Sequence, residues 1–143
     1  MLHTTFNLLK LASACGQKPG SGEGYDKLAQ ALGGSSKYGK NTPIPLTKIL
    51  ESNGLADALW TLRAVLPEQT EERYKLARLL ACDYAEHVLP IFEARYPKDK
   101  RPRQCIEVAR RFAVGRATQD ELAAAWDATW KAAWAAWAAA RAA

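Results

Sequence analysis

A chain of 143 residues, 48% apolar and 24% charged, is long enough to bury its own core but too short for two ordinary enzyme domains, and its composition excludes a disordered segment. Its net charge of +5 is not spread evenly. Arg95 to Arg116 holds eight basic residues against Asp99 and Glu107, so any attraction to an acidic partner is local. Cys15, Cys82 and Cys105 form no C-x-x-C pair; this excludes a disulfide framework or zinc ribbon and favours a reducing cytoplasm.

The first predicted element is a short helix from Thr5 to Ala14, with Phe6, Leu8, Leu9 and Leu11 as its apolar positions and Gly16 to end it. The run "LLKLASACG" has the look of a lipoprotein cleavage site ending at Cys15. Export by that route is not expected, because Lys10 interrupts the apolar run and no positive charge precedes it. A Gly/Ser-rich loop follows over 16–24, then a helix from Tyr25 to Leu32, then a second such loop over 33–43.

That second loop, "GGSSKYGKNTPIP", falls one residue short of the phosphate-binding pattern G-x-x-x-x-G-K-[ST], with Asn41 where the magnesium-holding hydroxyl belongs. A phosphate loop must follow a buried strand and open a helix at once. Here a helical segment precedes it, and Pro43 and Pro45 follow. A turn is therefore expected, and no nucleotide, metal or other cofactor.

Leu46, Ile49 and Leu50 predict a helix from Pro45 to Ser52, stopped by Asn53-Gly54. Leu55, Ala58, Leu59, Leu62, Val65 and Leu66 predict an amphipathic helix closed by Pro67, with Trp60 off the stripe and padding a neighbour. From Glu68 to Leu89 the apolar positions cover so wide an arc that a central helix is expected. Pro90 should kink or split it, with a continuation to about Tyr96. A helix from Arg101 to Val114 should bury Cys105, Val108, Ala109 and Phe112, while Arg103, Glu107 and Arg111 pair along its outer face. Thr118 and Glu121 form a capping box that opens an Ala/Trp-rich helix over 119–143. No segment alternates with a strand's period of two. The expectation is an all-α fold, a single compact domain over 1–143 with seven or eight helices.

Two surfaces are candidates for binding. Lys98, Lys100, Arg101 and Arg103 cluster where a loop meets a helix start, with Arg110 and Arg111 further along. The helix dipole adds to their field, so an anionic surface could dock there. A protein partner fits this; nucleic acid is the alternative, weakened by the lack of interleaved aromatics or a DNA-reading motif. Trp126, Trp130, Trp134 and Trp137 recur every three or four residues and make one stripe. Such a stripe can dock on its own domain, pair with a second copy or another protein, or lie on a membrane, and the first is preferred as the usual fate of an amphipathic face. Asp127, Lys131 and Arg141 exclude a membrane span. Asp83 and His87 stand four apart but make only two ligands, so a local ion pair is expected there rather than metal. No catalytic arrangement is expected.

From "LPEQTEERYKLARLLACDYAEHVLPIFEARYPKDKRPRQCIEVARRFAVGRAT" to the Ala/Trp-rich helix, the chain resembles a family of small helical proteins encoded by bacteriophages and prophages. Its central block, with "CDYAEHVLPIFE" and "DKRPRQCIEVAR", is also similar to helical domains labelled immunity proteins. The resemblance covers roughly residues 25 to 143. It implies a non-enzymatic accessory or immunity-type protein that occupies a partner's surface, for instance that of a host defence component.

Overall fold

The computed structural model describes residues 1–142, with side chains for residues 1–131 and Trp134. Among the described residues it has eight α-helices and one two-stranded sheet: β1 (His3–Thr4), α1 (Phe6–Leu11), α2 (Gly24–Ala31), α3 (Ser35–Tyr38), β2 (Ile44–Pro45), α4 (Leu46–Asn53), α5 (Leu55–Thr61), α6 (Thr70–Arg95), α7 (Arg101–Ala113) and α8 (Gln119–Ala142). The fold is mainly α, as the helical periodicity predicts. Its contacts gather into two compact units, residues 1–73 and 74–143.

The first unit is built around Phe6, which is wholly buried against Tyr25 at 5.0 Å and Tyr38 at 6.2 Å between ring centroids. Leu9, Leu28, Ile44 and Ile49 complete the centre of this core, and Trp60 pads its edge with its ring under Arg63. Thr5 caps α1 by accepting from the Leu8 amide at 3.1 Å. The helix stops at Leu11, short of the expected Ala14, because Ser13 turns into the left-handed region (φ 60°).

The chain start is tied down by a device too short to carry a period. β1 pairs antiparallel with β2, His3 opposite Pro45 and Thr4 opposite Ile44. Leu66 donates its amide to His3 O at 2.9 Å, and Gln69 accepts from the His3 amide at 2.7 Å. That contact explains why α5 ends at Thr61 rather than Leu66. Leu62–Ala64 tightens into a 3₁₀ turn, and Val65 and Leu66 extend, as the residue before Pro67 prefers to do.

The 16–24 loop closes on itself. The Tyr25 amide donates to Cys15 O at 2.9 Å, and Gly24 lies so close that a Cβ there would sit 2.5 Å from Cys15 Sγ. Asp26 accepts from the Gly22 amide and the Gln30 side chain, and the Gly22 bond in particular holds its carboxyl below the usual range. The phosphate-loop look-alike, expected to be a loop, holds the one-turn helix α3 between Gly34 and Gly39, followed by a turn that ties back to α1. Lys40 O accepts from the Asn7 amide at 3.0 Å, and Asn41 accepts from the Asn7 side chain at 2.6 Å. Gly39 (φ 104°) is needed because a Cβ would meet Thr42 Oγ1 at 2.4 Å.

In the second unit, α6 runs on through Pro90 without splitting, so of the two expected outcomes, kink or split, the second is ruled out. Pro90 and Glu86 are both exposed, so the carbonyl left without its donor is open to water. Nor is α6 a buried central helix. Among the described residues of this unit Cys82 and Leu89 alone are buried, while Tyr84, Val88 and Ile91 are more than half exposed. The face of α7 expected to be buried, Cys105, Val108, Ala109 and Phe112, is only half-buried. α7 and α8 form an antiparallel hairpin. The capping box closes as expected: Glu121 N donates to Thr118 Oγ1 at 3.1 Å and Thr118 N to Glu121 Oε2 at 2.6 Å.

Candidate protein-binding surface

Both candidate surfaces lie on the second unit. The basic residues are largely engaged by carboxylates of the neighbouring helices and of the α6–α7 turn. Arg103 forks onto Glu93 at 2.8 and 2.6 Å, and Arg101 onto Asp99 at 2.8 and 2.7 Å. Arg110 bridges Asp83 and Glu86, each at 2.6 Å, and Arg111 reaches Glu121 at 3.5 Å. The expected Arg103–Glu107–Arg111 ladder is therefore replaced by pairs between helices, and Asp83 turns to Arg110 instead of His87.

These bonds set the local electrostatics. The Arg103 fork holds the Glu93 carboxyl below its ordinary range, and the Arg101 fork does the same for Asp99. The Thr118 amide lowers Glu121. Bidentate pairs of this kind fix geometry as well as charge. The Arg103 fork and the Arg110 bridge tie α7 to α6, and the longer Arg111 contact reaches α8, where few side chains are buried. They also cancel much of the field expected from the run of cations. Lys98 and Lys100, in the turn between α6 and α7, have no ion pair among the described residues. Arg101, Arg110 and Arg111 come together along a shallow depression of about 790 Å³ against α8; Arg103 faces α6.

α8 docks on α7 through Leu122, Ala125, Ala128 and Thr129, all half-buried, and the Thr129 hydroxyl donates to Arg101 O at 3.3 Å. The small side chains on that stripe let the helices approach. The tryptophans lie one position further round and are mostly exposed, with Trp126 and Trp130 only bordering Cys105 of α7: Trp126 is 63%, Trp130 60% and Trp134 53% exposed. Trp130 and Trp134 stack edge to face at 6.4 Å. Docking on its own unit, the preferred reading, thus holds for the helix but not for these three rings. Trp137 lies outside the described side chains. Since Thr129 already meets the first residue of α7, residues 130–142 extend beyond it, about 20 Å of helix at 1.5 Å per residue.

A groove of about 770 Å³ opens between α6 and α8 over a floor of α7. Ala77 and Ala81 line one wall, Leu122 and Trp126 the other, and Cys105 and Ile106 the floor. Cys82 borders it, its thiol pushed up by burial and aimed at Ile106 O at 3.9 Å. The sequence offered no direct sign of this groove, since it depends on three helices meeting.

The described residues hold no group of three or more His, Cys, Asp or Glu placed for a metal ion, and none of the described helices is long and apolar enough to cross a membrane. The family model described as "Imm-5 like putative immunity protein" matches residues 68–143. No curated protein and no solved structure matches the chain.

Proposed function

We propose, from the premise that the chain belongs to the Imm-5 like immunity-protein family, that it acts by binding and neutralising a protein partner, stoichiometrically and without catalysis. One observation carries this. The family match spans almost exclusively the unit that buries least and displays Trp126, Trp130 and Trp134 to solvent. Exposed tryptophans at helical spacing are the residue type most enriched among energetic anchors of protein interfaces. Lys98 and Lys100, in the turn that leads into α7, would orient an acidic partner surface. If the gene is of phage or prophage origin, as the resemblance implies, a host defence component is the partner that fits. Three unpaired cysteines support action in a reducing cytoplasm.

The test is capture from nuclease-treated host lysate on the tagged full chain, with a Trp126→Ala/Trp130→Ala/Trp134→Ala variant alongside. The expected result is one enriched protein that the triple variant loses while its helical circular dichroism is unchanged. Equal capture by the variant would remove the tryptophan face from the proposal, and capture of nucleic acid alone would overturn it.

A further inference from the structure

α6 carries a second pattern beneath its wide apolar arc. Tyr74, Ala77, Ala81, Tyr84, Val88 and Ile91 follow one another at steps of three, four, three, four and three. That is an unbroken a/d heptad seam of about 27 Å, and a sustained 3.5-residue repeat is the signature of a helix that pairs lengthwise with another. The inward face of α6 is a different set, including the buried Cys82 and Leu89. Along the seam, Tyr74 is 52%, Tyr84 54%, Val88 55% and Ile91 77% exposed, and Ala81 is exposed as well. Pro90 is off the seam.

The seam is divided in size. Its first half is dominated by alanine and forms one wall of the groove between α6 and α8; its second half is three bulky side chains standing proud. We infer that the occupant of this groove is α6 of a second copy of the chain, running antiparallel about a two-fold axis that crosses between Ala81 and Tyr84. In an isologous contact, if position i meets j then j meets i. This register sets Tyr84 against Ala81 of the second copy, Val88 against Ala77 and Ile91 against Tyr74. Each alanine then receives a large side chain, as knobs-into-holes packing needs. A parallel pair would put alanine on alanine and isoleucine on isoleucine, leaving gaps in one half and crowding the other.

Area agrees with this occupant, and charge does not oppose it. At about 200 Å² for a large side chain, the exposed parts of Tyr74, Tyr84, Val88, Ile91 and the facing Trp126 come to roughly 600 Å². By themselves these side chains stand at the top of the about 300–600 Å² range of the largest patch on a typical monomer, and groove alanines and flanking residues raise the area toward the ~800 Å² per partner of a stable interface. Asp83 and Glu86 carry the like charges nearest the axis in sequence, but both turn to the single Arg110 of α7 and so lie off the seam.

Sedimentation of the full chain between roughly 1 and 100 µM, a range suited to interfaces of this size, tests the pairing. The expected species is twice the 15.7 kDa chain mass. Val88→Lys should give the single-chain mass with unchanged helical circular dichroism, since Val88 is exposed. Adding Ala77→Glu to it should restore the double mass, because these two positions meet only across the axis. A wild type that stays single, or a pair indifferent to Val88→Lys, overturns the inference; failure of the double variant to recover overturns the antiparallel register.

Discussion

The two units of this chain solve the same problem of small size in opposite ways. Residues 1–73 bury Phe6, Leu28, Ile44 and Ile49 almost completely and clamp the chain start with a two-residue sheet. Residues 74–143 bury Cys82 and Leu89 among their described side chains, and link α7 to α6 and α8 with arginine–carboxylate pairs, the Arg103–Glu93 fork foremost. An aromatic residue of the first unit is explained by what it touches inside. A tryptophan of the second is explained by what it could touch outside. The family match falls on the second unit, the one with the sparse interior.

The sharpest way to break this contrast is mutational. Phe6→Ala leaves a cavity in a packed core and should cost about 3–5 kcal/mol, whereas Trp130→Ala, with its ring 60% exposed, should stay within about 0.5 kcal/mol as other surface changes do. Urea unfolding of both variants measures the difference, and similar costs would mean that the tryptophans belong to a core after all.

Acid should act next most strongly, and mainly on the second unit. Glu93, Asp99 and Glu121 have folded values held below ordinary ones, so the stability they confer is present above their unfolded values, about 3.9–4.3, and lost as pH falls through the folded ones. Hydrogen exchange at pH 7 and near pH 3 should show protection falling over 83–121. Asp26 has the same sign, so the 16–24 loop should loosen too, but the packed core around Phe6 should keep its protection. Uniform loss across the chain would remove the distinction.

A smaller effect concerns the thiols. Cys82 is buried with its thiol raised, and Cys15 is exposed. A thiol reagent near pH 8 should modify Cys15 first and Cys82 last, since the thiolate is the reactive form. Smallest of all, Lys98→Ala/Lys100→Ala should weaken partner capture only a few-fold, because rim charges act mostly on association rate. Capture abolished by this pair would shift the weight from the tryptophans to the cations.

Much of the fold was legible because its signals are local. Asn53-Gly54 stops α4, Pro102 and Gly115 bracket α7, and the Thr118–Glu121 box opens α8, each within a few residues of where it acts. What was not legible depends on partners distant in sequence. Arg103 has an acidic neighbour four residues away at Glu107, yet it chooses Glu93 across the α6–α7 turn. Leu66 leaves its helix for His3, and β1 with β2 is too short to show a period. Pro90 reads as a break but sits on the watery side of a helix held elsewhere. Of the candidate surface, the tryptophan spacing was visible at once; that the rings face outward follows from alanines one position round, which only the docked α7 makes meaningful.

The most direct measurement places a photo-crosslinking side chain at position 130 on the tryptophan face and, separately, at position 27 on the exposed side of α2, in the full chain within its host. The account predicts an adduct to a protein other than the chain itself from position 130 and none from position 27. Adducts from position 27 alone, or equally from both, would contradict the claim that the core-poor unit is the one that binds.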